Sequence, residues 1–208
     1  RSGRFDPVQR SRVAMELRTQ ASSRRDSVMA TTQRPGTVAQ VDEASGWSRI
    51  APDVGAITRI SLGWVFLWAF RDKTFALGRG TPAENAWIDG GSPTNGFLAN
   101  APTGPFEDFY KDLAGAAWAD WLFMIGVLAL GVALILGVGM RIAAIAGALL
   151  LVLMWTAVLP PENNPFMDDH LIYAMVLIGL AAINAGDTWG LGKQWATTGP
   201  VRSYPILR

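Results

Sequence analysis

Residues 122–140 and 142–159 form two adjoining apolar stretches with no charged side chain, separated by Arg141 alone. A stretch of roughly 17 to 25 mainly apolar residues is the length that crosses a bilayer as a helix. The turn between them, Gly137-Val138-Gly139-Met140-Arg141, is short enough to join antiparallel neighbours. A third stretch, 171–186, is shorter and gains a turn if its helix starts near Pro165. The fourth, 60–70, lies between Arg59 and Arg71 and spans only if the helix continues to about Leu77. Its aromatic centre (Trp64, Phe66, Trp68, Phe70) has no soluble partner in so small a chain. The pattern predicts an all-α integral membrane protein. Its expected fold is a four-transmembrane-helix bundle with helices at about 54–77, 118–138, 141–159 and 165–186.

Only 17% of the 208 residues are charged, against about 25% for an ordinary soluble domain. Residues 1–50 carry nine arginines against five acids and few large apolar side chains. Such a segment cannot offset its ordering entropy by burial. Residues 1–53 are therefore expected to be a disordered, Arg-rich cytoplasmic tail. Met29, followed by the small Ala30, has the form of a translation start, and Met15 is another. No small-x-small cleavage site follows the first apolar stretch, so a cleaved signal peptide is not expected.

Charge by loop gives an orientation. Glu84, Asp89, Glu107, Asp108, Asp112 and Asp120 crowd the loop after the first span, and Glu162, Asp168 and Asp169 the loop after the third. Arg141, Lys193, Arg202 and Arg208 fall on the other side with the basic N-terminal segment. Positive loops stay inside, so both termini, including the tail 187–208, are expected in the cytoplasm. The basic segment is accounted for by topology and anionic lipid, and no nucleic-acid partner is expected. Gly192-Lys193 is no phosphate loop, because Asp187 stands where that motif needs glycine and Gln194 where it needs Ser or Thr.

The outer loop, 78–117, is long enough to have structure of its own. Thr81-Pro82-Ala83-Glu84 reads as a capping box. Phe106, Phe109, Tyr110 and Leu113 recur at helical spacing between Pro105 and Gly115, which predicts a short amphipathic helix on the outer surface or capping the bundle. Small residues four apart, Ala129/Ala133 and Ala143/Gly147, allow close helix approach. Trp118, Trp121, Trp189 and Trp195 fit interfacial belts.

Two charged clusters fall at one membrane depth: Arg71-Asp72-Lys73, and the run from Glu162 and Asn163 to Asp168, Asp169 and His170. Ionisable groups at such depth face the bundle interior and pair. One reading is a polar pocket for a quinone headgroup or small anion. Arg71, Lys73, Glu162 and Asn163 would bind it, and Asp168, Asp169 and His170 would relay protons. The other is structural: Asn164 and the aspartates cap the fourth helix, and Arg71 and Lys73 reach the headgroups. With no cysteine and one histidine, no metal, bis-histidine haem or iron–sulfur cluster is expected.

The chain resembles the DoxX/DoxD family of bacterial membrane proteins from about residue 57 to 195. The resemblance rests on Arg59-Ile60-Ser61-Leu62-Gly63-Trp64-Val65-Phe66-Leu67 leading to Lys73, on the Gly137–Arg141 turn, on Pro160-Pro161-Glu162-Asn163-Asn164-Pro165 through His170, and on Gly186-Asp187-Thr188-Trp189-Gly190-Leu191-Gly192. It implies a four-helix bundle in the bacterial plasma membrane. Some members are similar to the membrane subunit of a thiosulfate:quinone oxidoreductase, which implies quinone as acceptor, a sulfur donor and a second redox subunit. The alternative is a non-catalytic scaffold that recruits a partner through its acidic outer loops. Expected partners are the lipid bilayer, that second subunit and further copies of the chain.

Overall fold

The computed structural model describes residues 15, 16, 18–20 and 44–208. The chain divides into two compact units, Arg1–Trp47 and Ser48–Arg208. In the first, all described residues are helical; the second carries the architecture below. All regular structure among the described residues is helical: α1 (Ala44–Phe75), α2 (Asn95–Asn100), α3 (Glu107–Lys111), α4 (Ala117–Leu136), α5 (Met140–Ala157), α6 (Asp169–Ala182), α7 (Gly192–Ala196) and α8 (Gly199–Ser203).

Three of these are long and apolar enough to cross a membrane: Gly46–Phe75, Ala117–Leu136 and Met140–Ala157. Their outer faces carry exposed Ile125, Val132, Ile145 and Leu149, apolar surface suited to lipid. The fourth apolar helix, α6, is shorter. At 1.5 Å per residue it rises about 21 Å, less than the roughly 30 Å of a hydrocarbon core.

Most of the tail expected to be disordered lies outside the described residues. Its last part, 44–53, is helical and belongs to α1. Extending an existing helix fixes one residue per hydrogen bond and carries no nucleation cost, so α1 starts well before the apolar stretch. The start of α6 also moves, from the expected Pro165 to Asp169. Asn164 turns its Oδ1 onto the N–H groups of Phe166 and Met167, both at 2.9 Å, and closes a local turn instead of a helix. Asp168 then caps α6 by accepting from Leu171 N–H at 3.2 Å. The Thr81–Glu84 pattern gives only a 3₁₀ turn, Ala83–Asn85, with no side-chain cap.

One core runs through the bundle, built from Leu62 and Phe66 of α1, Val127, Leu130 and Leu134 of α4, Ala144 and Leu151 of α5, and Leu177 and Leu180 of α6. Glycines set the closest crossings. A Cβ on Gly131 would lie 2.9 Å from Leu67 N, and one on Gly63 2.9 Å from Leu134 Cβ. Gly147 is packed in the same way by Leu130 and Leu177. Of the two predicted small pairs, Ala143/Gly147 is buried, while Ala129 faces outward and Gly131 makes the α1–α4 contact in its place.

Gly131→Ala is expected to lower stability by roughly 1–3 kcal/mol, the usual cost of overpacking. Gly126→Ala, where nothing lies within 4 Å of a new Cβ, should be neutral or slightly stabilising. Thermal unfolding of the two variants in detergent micelles checks the contrast.

Candidate functional site

The most buried polar side chain lies outside the two clusters marked in the sequence. Arg59, on α1, is 0% exposed. Its guanidinium donates to five backbone carbonyls: Leu134, Ile135 at 2.9 Å, Thr188 and Trp189 at 3.1 Å each, and Ala185 at 3.2 Å. Two of these close the last turn of α4, where carbonyls lack intrahelical partners and the helix dipole is negative. The other three line the turn after α6. The charge is thus met by a shell of dipoles, with no carboxylate in the set.

Two glycine-rich segments wrap this shell. Gly137 and Gly186 are so close that a Cβ on Gly186 would overlap Gly137 O, and a Cβ on Gly190 would sit 3.1 Å from Arg59 Nη2. Trp189 adopts φ +51°, a left-handed conformation rare for a bulky residue, with its carbonyl on Arg59. The chain end folds over the same region: Arg208 pairs with Asp187 at 2.7 Å, and Arg141 N–H donates to Arg208 O at 2.9 Å.

Arg59 fixes the relative height of the helices. Along α1, Arg59, Leu62, Phe66, Phe70 and Lys73 recur at intervals of three and four, one continuous face. The first three are buried and Phe70 packs on the core. Lys73 continues this face about 21 Å above Arg59, with Nζ 5.9 Å from the centre of the Phe123 ring. On α6, Ala174 and Leu177 pack into the core, and His170, four residues before Ala174 and half-buried, precedes them on the same face. His170 lies in the first turn of α6, about 18 Å along the helix from its last residue, Ala182.

Here His170 Nδ1 lies 2.6 Å from Asp168 Oδ2, with side-chain exposures of 20% and 13%. Asp169 Oδ1 is 3.5 Å from the same nitrogen, and its side chain is 71% exposed. Asp168 fixes the His170 ring while capping α6, and among the described residues Nε2 has no hydrogen-bond partner. The three side chains place one ligand atom each within 4.8 Å of one another. That spacing suits a cation, whereas the helix N-terminus favours negative charge.

The remaining sequence candidates are scattered. Arg71 is exposed, Glu162 and Asn163 are exposed in the segment before α6, and no hydrogen bond or ion pair links Arg71 or Lys73 to the Asp168–His170 pair. Asp72, between the two cations, is 4% exposed and structural: it accepts from Arg79 N–H at 3.3 Å and Gly80 N–H at 3.0 Å. In the sequence Arg59 stands at the boundary of an apolar stretch, where hydropathy alone does not tell a flanking charge from a buried one. A charge inside a spanning helix with two glycine-rich segments to hold it is the signal that marks it.

An apolar exterior, long apolar helices and a polar mouth at one end are features of a helical membrane protein. No protein-family model, curated protein or solved structure matches the chain.

Arg59→Met should destabilise the protein by several kcal/mol, since each buried carbonyl left without a donor costs about 1–3 kcal/mol. Arg59→Lys should fall between, because an ammonium has three donors for five acceptors. Denaturant unfolding in micelles checks the order. At the mouth, Asp168→Ala should cost about 1 kcal/mol through loss of the cap, and Asp169→Ala close to nothing; the same assay separates them.

Proposed function

We propose that the chain is a DoxX-like membrane protein whose polar mouth, formed by Lys73, Asp168 and His170, binds a quinone headgroup within a redox complex of the thiosulfate:quinone oxidoreductase type. The observation that carries this reading is the 2.6 Å His170–Asp168 pair, partly buried at the head of α6. A quinone carbonyl accepts from the Lys73 ammonium on one side and from His170 Nε2–H on the other. Asp168 holds the Nδ1–H and stabilises the imidazolium between proton transfers. Reduction to the quinol takes two electrons and two protons. The electrons come from outside the chain, and the family resemblance implies a sulfur compound, oxidised at a second subunit, as their source. The protons pass through His170, which is recharged from water at the exposed Asp169.

In this reading α6 is the fourth span, and the exposed segment 160–168 with local bilayer thinning makes up its short length. The acidic loops face outward and the arginine-rich end faces the cytoplasm of a bacterial cell. Arg71, Glu162 and Asn163 are each exposed. Their exposure also supports the second reading, a scaffold that recruits a partner at this acidic face.

Titration of the purified protein with a short-chain quinone, followed by tryptophan fluorescence, tests the choice. His170→Ala and Lys73→Ala are each expected to weaken binding at least fivefold, with Lys193→Gln, at the opposite end, unchanged. If the wild type binds the quinone no better than an alkane-tailed lipid analogue, the scaffold reading takes its place.

A further inference from the structure

Residues 187–208 are not a loose tail but an ordered plate tied to the ends of two spans. Leu191 N–H donates to Leu136 O at 2.8 Å, and Arg141 N–H donates to Arg208 O at 2.9 Å. Arg141 Nη1 adds a bond to Pro205 O at 2.8 Å, and Arg208 pairs with Asp187 at 2.7 Å. Within the plate, Trp195 of α7 turns its indole N–H onto Leu207 O, and Val201 of α8 is buried. Leu136 ends one membrane-length helix and Met140 begins the next. A segment bonded at both places lies where the spans leave the bilayer.

The plate leaves two kinds of side chain without partners. Trp189, Leu191, Tyr204 and Ile206 are large, apolar or aromatic, and exposed. Lys193 and Arg202 are exposed too, and among the described residues neither makes a hydrogen bond or ion pair. From Thr188 to Arg208 the sequence has no Asp or Glu, and Asp187 is taken by Arg208, so this surface is positive.

Trp189 is the most informative of the six. Its backbone at φ +51° is costly for a bulky residue. Yet its ring is 61% exposed and, among the described residues, makes no hydrogen bond and stacks on no other ring. Packing within the chain does not offset that strain. A headgroup layer does, because an indole favours that level of the membrane. Its structural contrast is Trp195, which is used up inside the plate. Exposed aromatic and aliphatic groups interleaved with cations, without an acid among them, match the chemistry of an anionic leaflet.

We propose that residues 188–208 seat in the headgroup layer of an anionic bilayer leaflet. Lys193 and Arg202 meet lipid phosphates, while Trp189, Leu191, Tyr204 and Ile206 enter the acyl boundary. The same segment supplies the Thr188 and Trp189 carbonyls that hold Arg59, at 3.1 Å each. Anionic lipid therefore tightens the clamp. This surface is at the other end of the bundle from Lys73 and His170 and does not depend on their role.

Since the chain has no cysteine, a single introduced one carries a unique label. Leu191→Cys and, in a separate protein, Ile206→Cys are labelled with bimane and placed in phosphatidylcholine–phosphatidylglycerol nanodiscs, which leave both faces open to reagents. Lipid brominated on its acyl chains is expected to quench both labels, and aqueous acrylamide at least threefold less than it quenches the free bimane–cysteine adduct. Acrylamide quenching equal to that of the free adduct would put the plate in water and overturn the proposal. Hydrogen exchange then reads the clamp. Amides of 188–195 in the unlabelled chain are expected to exchange at least threefold more slowly with phosphatidylglycerol present than in phosphatidylcholine alone. Lys193→Gln with Arg202→Gln should remove most of that gain, and Lys111→Gln, at the other end, should keep it. Equal exchange in the two lipids, or a gain that survives the double substitution, would overturn the anionic-lipid assignment.

Discussion

A guanidinium with no carboxylate beside it holds the bundle in register. Burying a charge is costly unless its donors are fully engaged, and Arg59 meets that condition with backbone carbonyls from α4 and the turn after α6. Carbonyls at helix ends need donors in any case, so one side chain solves two problems at once. The local costs are visible: glycines at 137, 186 and 190 where a Cβ would collide, and a tryptophan in the left-handed region at 189. Non-glycine residues held there persist only when their surroundings over-determine them. A clamp of this kind fixes the height of α1 against the end of α4 and the turn after α6.

The long apolar stretches were legible because lipid leaves the chain few options. α4 and α5 fall within a few residues of the expected spans, since an uncharged stretch of that length has to be helical in a bilayer. Helix ends were harder, because they depend on competition between side-chain and backbone hydrogen bonds. Asn164 and Asp168 both fit a cap, and the geometry of the intervening residues gives the role to Asp168. The loop pattern was half right for a similar reason. Tyr110 and Leu113 pack as the spacing implies, but Phe106 and Phe109 stay exposed, because α3 is little more than one turn and cannot bury a four-residue stripe.

The charged residues were the hardest to assign from sequence alone, since hydropathy counts them without saying what they bond. Arg71, Asp72 and Lys73 are consecutive yet have three environments: exposed, buried in a loop staple, and set against an aromatic ring. Consecutive residues on a helix point about 100° apart, so a charged triplet cannot act as one unit. The helix phase decides: Asp72 is buried by the loop, and Lys73, half-buried, continues the face that runs from Arg59 through Phe66.

The same contrast bears on where function lies. Arg59, Asp72 and Asp120 are buried and hydrogen-bonded, Arg59 donating to five carbonyls and the two aspartates accepting from backbone N–H groups and nearby hydroxyls, as expected of side chains retained for architecture. Lys73 and His170 differ. Both lie on inward faces, yet among the described residues Lys73 has no hydrogen bond or ion pair, and His170 engages only Nδ1. A long polar side chain that served only to hold helices together would gain by completing its bonds, as Arg59 has done. An ammonium set against a ring and an imidazole nitrogen left open beside Asp168 are the groups the proposed site would use to receive a polar group from outside the chain.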